Sequence, residues 1–277
     1  MEHRTARVPD LGEPRRTLLA APRARAAQSL VPPSVRRDLR AVEPVDALDD
    51  GGRFEGPHGE IGSNVRTLLF DTWVHDFLTQ HPTGTVVDIG SGLATRFQRL
   101  DNGTVNWFDL APAAVLRTDP HDQASERRRT LTTSVTDPSW IDVVRQSPGP
   151  YFVAAEAALM SLDEDDVRRV IRMIVERLPG AYLALDTASS WLVDNQDGHD
   201  VLGKVAARLR WRCDDPTRVA QWHPGLTLTQ SCTFARLPAA VSRRISQPQR
   251  GMLRAMAAVM RRQIQDYRFN LYQLGTP

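Results

Sequence analysis

The sequence predicts an α/β fold of the Rossmann-like kind: a seven-stranded sheet whose last strand is antiparallel, preceded by an N-terminal helical or flexible extension. Three observations carry this. Short β-branched runs alternate with helix-patterned stretches between Thr85 and Leu185, the rhythm of a parallel sheet built from crossover units. The first run leads straight into a glycine turn, Gly90-Ser91-Gly92. Two further alternating runs, separated by a helical pattern, close the chain.

Residues 1–60 read as a separate arm. They lack sustained periodicity, carry nine arginines between Arg4 and Arg40 interleaved with prolines, and end in the turn-rich Asp49-Asp50-Gly51-Gly52 and Gly56-Pro57-His58-Gly59. A lid over the main domain, or an exchange that makes a homodimer, are the roles expected of it, and residues 61–277 form that main domain. Val65, Leu68, Leu69, Trp73 and Phe77 recur at helical spacing, giving an amphipathic helix that stops before Pro82. Strands are expected at 85–89, 105–108, 130–135, 151–155 and 182–185, with helices near Thr95, Pro112, Trp140 and Val167. The helix from Asp163 to Leu178 is the clearest: Asp163 caps it, three acidic residues favour its positive end, and Val167, Val170, Ile171, Ile174 and Val175 share a face. In the tail, 226–234 alternates as a strand, Leu253, Met256, Met260 and Ile264 mark one helix, and 267–272 alternates again.

Composition narrows the function classes. Hydrophobic content of 41% and charged content of 25% are those of a globular chain, and no apolar stretch is long enough to span a bilayer. A net charge of +2 does not point to nucleic acid. Cys213 and Cys232 are too few for a disulfide framework and lack metal-ligand spacing, so no metal is expected, and with no secretory signal core the expected location is the cytoplasm.

The chemistry-bearing residues centre on the glycine turn. Gly90 and Gly92 follow a buried strand and precede a helix, where a sharp turn lets a nucleotide-like ligand approach the backbone. Asp109 stands at the end of the second strand, where a carboxylate accepts both hydroxyls of a ribose. Asp88 inside the turn motif and the C-terminal helix–strand pair favour S-adenosylmethionine over a dinucleotide, and with it the class I S-adenosylmethionine-dependent methyltransferase fold.

The stretches TVVDIGSGLATRFQRL, VNWFDLAPAAV, TTSVTDPSWID, FVAAEAALMSLDEDDVRRVIRMIVERLPGA and LALDT, in this order, resemble the leucine carboxyl methyltransferase family, in particular its bacterial polyketide branch. The resemblance implies an S-adenosylmethionine-dependent O-methyltransferase acting on a carboxylate or hydroxyl of a small molecule in polyketide-like secondary metabolism. It also implies residue roles. Gly90, Ser91 and Gly92 match the turn against the cofactor, and Asp109 with Leu110 the ribose segment. Ser134 and Val135 match the adenine segment, Glu156 the acidic residue after strand four, and Arg66 the arginine that reaches the methionine carboxylate. Three departures bear on the acceptor side: Ala94 replaces an aspartate of the family turn, Ala157 a glycine and Ser161 a tyrosine.

Methyl transfer is an in-line displacement served mainly by positioning, and a carboxylate acceptor needs no general base. His199 and His223, after strand five, are the base candidates should the acceptor be a hydroxyl, with Met160, Trp191 and Trp222 as expected acceptor contacts. Two other readings stay open: non-methyl chemistry with the same cofactor, such as aminocarboxypropyl transfer or cyclisation, and a non-catalytic cofactor-binding protein.

Overall fold

A computed structural model describes residues 57–91, 96–111, 126–198 and 208–275. The helix expected near Pro112 and residues 1–56 of the arm lie outside them; residues 57–60, expected as the turn that closes the arm, instead open the first helix. The chain order is α1 (Pro57–Gln80), β1 (Thr85–Ile89), α2 (Arg96–Leu100), β2 (Asn106–Leu110), β3 (Arg128–Leu131), α3 (Ser139–Val144), β4 (Tyr151–Ala155), α4 (Glu164–Arg177) and β5 (Tyr182–Ala188). It continues with α5 (Ser190–Asp194), α6 (Thr217–Ala220), β6 (Leu226–Thr233), α7 (Ala239–Arg244), α8 (Gln247–Val259), α9 (Arg261–Gln265) and β7 (Tyr267–Leu274).

The seven strands form one sheet in the order β3-β2-β1-β4-β5-β7-β6. β1 to β5 run parallel, and β7 enters antiparallel between β5 and β6. This is the class I methyltransferase arrangement. The order reverses between β2-β1 and β4, so a crevice opens beyond the carboxyl ends of β1 and β4, the place where such sheets bind ligands.

Strand alternation divides the interior into two cores. Val86, Trp107, Phe152, Ala184 and Phe269 face α1 and the helices of the tail, whereas Val87, Phe108, Val153, Leu183 and Tyr272 face α3 and α4. Because the period is two, Asp88, Asp109 and Asp186 all point to the α1 side, in line with Val86, Trp107 and Ala184. Three carboxylates thus enter one apolar layer from neighbouring strands.

Four expectations are corrected. α1 is not amphipathic: residues 63–65 and 67–74 are all buried, because α7 and α8 cover the side turned away from the sheet with Val241, Ile245 and Leu253. The tail helix is two helices, since Met260 leaves helical geometry at φ −105° and ψ 43°. Asp163 occupies the N-cap of α4 without capping it; its carboxylate turns outward to Arg210 Nη2 at 2.5 Å. Finally, β3 ends at Leu131, and Ser134 and Val135 sit on the loop after it, pinned by Asp137 accepting the Ser139 N–H at 2.8 Å and by Val135 O accepting from Trp140 Nε1 at 3.0 Å.

Candidate active site

The glycine turn follows from backbone geometry. Gly90 adopts φ +69°, a region open to glycine, and a Cβ there would stand 2.9 Å from the Ala158 Cβ. Its N–H donates to Leu110 O at 2.8 Å, tying the turn to β2, and Ser91 hydrogen-bonds to Asp109. Gly92 lies outside the described residues.

Beneath this turn the buried carboxylates gather around three arginines. Arg96, 2% exposed, directs Nη1 to Asp88 Oδ1 at 2.5 Å, Nε to Asp71 Oδ1 at 3.1 Å and Nη2 to Glu156 Oε2. Arg99 holds Asp71 from the other side, with Nε to Oδ2 at 2.9 Å. Arg66 donates from Nε to Glu156 Oε1 at 3.0 Å, and Thr67 donates its hydroxyl proton to the same oxygen at 2.8 Å. Burial opposes the charge of Arg96, but Asp88, Glu156 and Asp71 outweigh it and raise its pKa above the ordinary value. One guanidinium thereby joins α1, the β1 end and the β4 end.

Asp186, at the β5 end, accepts the Ala157 N–H on both oxygens, at 3.0 and 3.1 Å, and the Tyr267 hydroxyl on Oδ2 at 2.5 Å. Arg66 Nη1 donates to the Tyr267 oxygen at 3.4 Å. β7 starts at Tyr267 opposite Ala188, so the antiparallel strand delivers its first residue to the same edge as the carboxyl ends of the parallel strands.

The sequence-predicted residues fall into three groups. Arg66, Asp88, Gly90, Ser91, Asp109 and Glu156 converge at this edge. Asp109 already has protein partners: Oδ1 accepts from Trp107 Nε1 at 3.1 Å and Oδ2 from Arg128 Nε at 2.7 Å. Its pKa is raised, because burial outweighs the attraction of Arg128. Leu110 reaches the edge only through its backbone, its side chain being in the core on the α4 side. Ser134 is exposed and Val135 half-buried beside it. Trp191 opens α5 at the same edge under the Arg262 guanidinium at 5.6 Å, and Met160 is buried, its carbonyl accepting the Arg210 and Trp211 N–H groups.

His223 and Trp222 belong to the opposite edge. They precede β6, whose first residue pairs with Leu274 at the far end of β7, and seven strand steps separate that end from Tyr267, roughly 20 Å. His223 Nδ1 accepts the Gly225 N–H at 3.0 Å within its turn, and Trp222 packs between Arg168 and Trp211. Both are turn and packing residues, a correction of the base and acceptor roles. His199 lies outside the described residues. Arg96, Asp71, Asp186 and Tyr267 were missed. The signals available were the Thr95-Arg96 pair kept beside a lost aspartate, and a carboxylate ending the apolar run Leu183-Ala184-Leu185.

The network makes stability respond to pH in an uncommon direction. Burial pushes Asp88 up to about 7, against the pull of Arg96, and Asp186 up to about 6, against Arg66 and the Tyr267 hydrogen bond. A carboxylate whose folded pKa is raised binds its proton more tightly when folded. Its contribution is therefore complete below the unfolded value near 4 and is lost as pH rises through 6 to 7. The exposed Asp101, Asp137, Asp214 and Asp215 are held below their ordinary values by hydrogen bonds and act in the opposite sense only under about pH 4. The expected result is a melting temperature higher at pH 5 than at pH 8, with the difference reduced in Asp88→Asn. A melting temperature that falls from pH 8 to 5 contradicts this assignment.

No group of three or more metal-binding side chains occurs among the described residues, and no described helix is long and apolar enough to cross a membrane. No family model matches the chain. Among curated proteins it is similar to the tetracenomycin polyketide synthesis O-methyltransferase TcmP of Streptomyces glaucescens, with 27% identity over 227 residues, 80% of this chain and 83% of that protein. Among solved structures it superposes on a DUF574 family protein from Streptomyces avermitilis with a TM-score of 0.54 and 17% identity, covering 92% of this chain and 97% of that one. A plantazolicin methyltransferase, BamL, solved with a triazolic desmethylPZN analogue and SAH, gives a TM-score of 0.53 at 8% identity, covering 95% and 98%. The resemblance read from the sequence motifs and the fold agree.

Proposed function

We propose that this chain, a class I methyltransferase in fold and similar in sequence to a polyketide O-methyltransferase, is an S-adenosylmethionine-dependent O-methyltransferase of a small molecule in secondary metabolism. The observation that carries this reading is the Arg66–Glu156–Arg96–Asp88 network gathered under the glycine turn, at the crevice edge of the sheet. The donor set fits the cofactor. Asp88 Oδ2 is buried without a hydrogen-bond partner among the described residues, an acceptor matched to an ammonium group, and Arg66 offers a planar guanidinium for a carboxylate.

When bound, S-adenosylmethionine supplies an electrophilic methyl group on a sulfonium. Arg66 holds its carboxylate and Asp88 its ammonium. Asp109, its plane fixed by Arg128 and Trp107 and hydrogen-bonded also by Ser91, would offer its remaining acceptor capacity to a ribose hydroxyl. Ser134 and Val135 would take the adenine, and Gly90 and Ser91 the ribose side. The protein would act by orientation, and an ionised carboxylate acceptor arrives without a proton to remove. Trp191 and Met160 stand on the acceptor side. The arm, residues 1–60, covers that side or exchanges with a second copy; the location is the cytoplasm, and no nucleic acid takes part.

The test is transfer of label from methyl-labelled S-adenosylmethionine to a panel of polyketide acids and phenols. The expected co-product is S-adenosylhomocysteine. Formation of methylthioadenosine instead favours aminocarboxypropyl chemistry and rejects methylation.

A further inference from the structure

Ala157 is the sole non-glycine residue with positive φ among the described residues, at +54°. For an L-residue with a Cβ this left-handed conformation is costly, and it persists only where surrounding contacts impose it. Here the imposing group is visible. Both Asp186 oxygens accept the Ala157 N–H, at 3.0 and 3.1 Å, and Asp186 is itself fully buried and held by the Tyr267 hydroxyl at 2.5 Å. The residue immediately before Ala157 is Glu156, which receives Arg66, Thr67 and Arg96. Arg66 in turn reaches the Tyr267 oxygen at 3.4 Å. The contacts close into a ring, from Glu156 through Arg66, Tyr267 and Asp186 to the Ala157 backbone and back to Glu156. It spans α1, the β4 end, the β5 end and the start of β7.

We propose that Asp186 is a positioning residue of the active site: it clamps the left-handed Ala157 peptide, with Tyr267 as its anchor, and so fixes the direction in which Glu156 presents Arg66 to the ligand. Without the clamp, Ala157 relaxes to right-handed or extended backbone. Glu156 then leaves Arg66 and Arg96, and Arg66 loses the orientation it needs for bidentate capture of a carboxylate. The inference rests on the reading of this edge as the S-adenosylmethionine site and adds the device that sets it.

A structural role alone and a positioning role separate cleanly when the strain is removed by a different route. Glycine adopts positive φ at no cost, so an Ala157→Gly change substitutes for the clamp without restoring any carboxylate. The experiment measures S-adenosylhomocysteine affinity by calorimetry, and melting temperature, for the full chain, Asp186→Ala, Tyr267→Phe and the double variant Asp186→Ala with Ala157→Gly. Asp186→Ala is expected to weaken binding by about tenfold, the order set by the cost of a left-handed alanine, and the double variant to recover most of that loss. Tyr267→Phe, which keeps the ring and the carboxylate, is expected to weaken binding less. Equal affinities in the full chain and in Asp186→Ala overturn the proposal, as does a double variant no better than Asp186→Ala. Should Asp186→Ala not fold, Tyr267→Phe with and without Ala157→Gly carries the same comparison, and the absence of any gain from glycine there overturns the proposal. A full chain that binds no S-adenosylhomocysteine rejects the site reading itself.

Discussion

Replacing Arg96 by methionine is expected to lower the unfolding free energy by about 3–5 kcal/mol, the cost of removing one partner from a buried ion cluster. The three carboxylates do not lose equally. Asp71 retains Arg99, and Glu156 retains Arg66 and Thr67. Asp88 loses its guanidinium partner, and its Oδ2 already lacks a partner among the described residues. Its carboxylate is 1% exposed, so it takes up a proton at neutral pH instead of remaining charged. A double variant, Arg96→Met with Asp88→Asn, is therefore expected to be more stable than Arg96→Met alone. Urea denaturation of the four species gives the coupling directly. Additive losses contradict the cluster as drawn.

The second large effect is at Asp109. Asp109→Ala takes the carboxylate from Arg128 Nε and the acceptor from Trp107 Nε1, both donors buried in the same layer. A loss of about 3 kcal/mol in stability is expected. Cofactor affinity falls as well if Asp109 meets the ribose. Asp109→Asn keeps an acceptor for Trp107 and separates the two effects: its stability loss is expected to be smaller, while ribose recognition remains impaired. A variant pair equal in both stability and affinity argues that Asp109 is only an internal partner of Arg128.

The fold was legible because each strand announces itself over a few residues. Val86, Val87 and Ile89, or Phe152 and Val153, are buried on both faces of a central sheet and so form continuous apolar runs bounded by turns. Such signals are local. The antiparallel entry of β7 followed from the order of elements, and that order also placed Tyr267 at the site edge, although its role was not read. The glycine turn was legible for the same local reason, since φ +69° at Gly90 demands a particular residue.

What was not legible is pairing at a distance. Arg96 meets Asp71 from 25 residues away and Glu156 from 60, and Arg66 meets Glu156 from 90. Nothing in a single sequence tells an arginine which carboxylate it will face. The amphipathic reading of α1 failed because its outer cover, α7 and α8, arrives nearly two hundred residues later. The base and acceptor roles assigned to His223 and Trp222 failed on direction. A position after strand five suggested the crevice edge, but β6 begins at the far edge and ends at the near one.

The central claim is that Arg66 and its carboxylate network form the amino-acid end of an S-adenosylmethionine site. It is tested most directly by calorimetric titration of the full chain and of Arg66→Met with S-adenosylhomocysteine. The account predicts saturable one-site binding by the full chain and a loss of at least about tenfold in Arg66→Met, as expected for a charged hydrogen-bonding partner removed from a carboxylate. No binding by the full chain, or equal binding by both proteins, contradicts it.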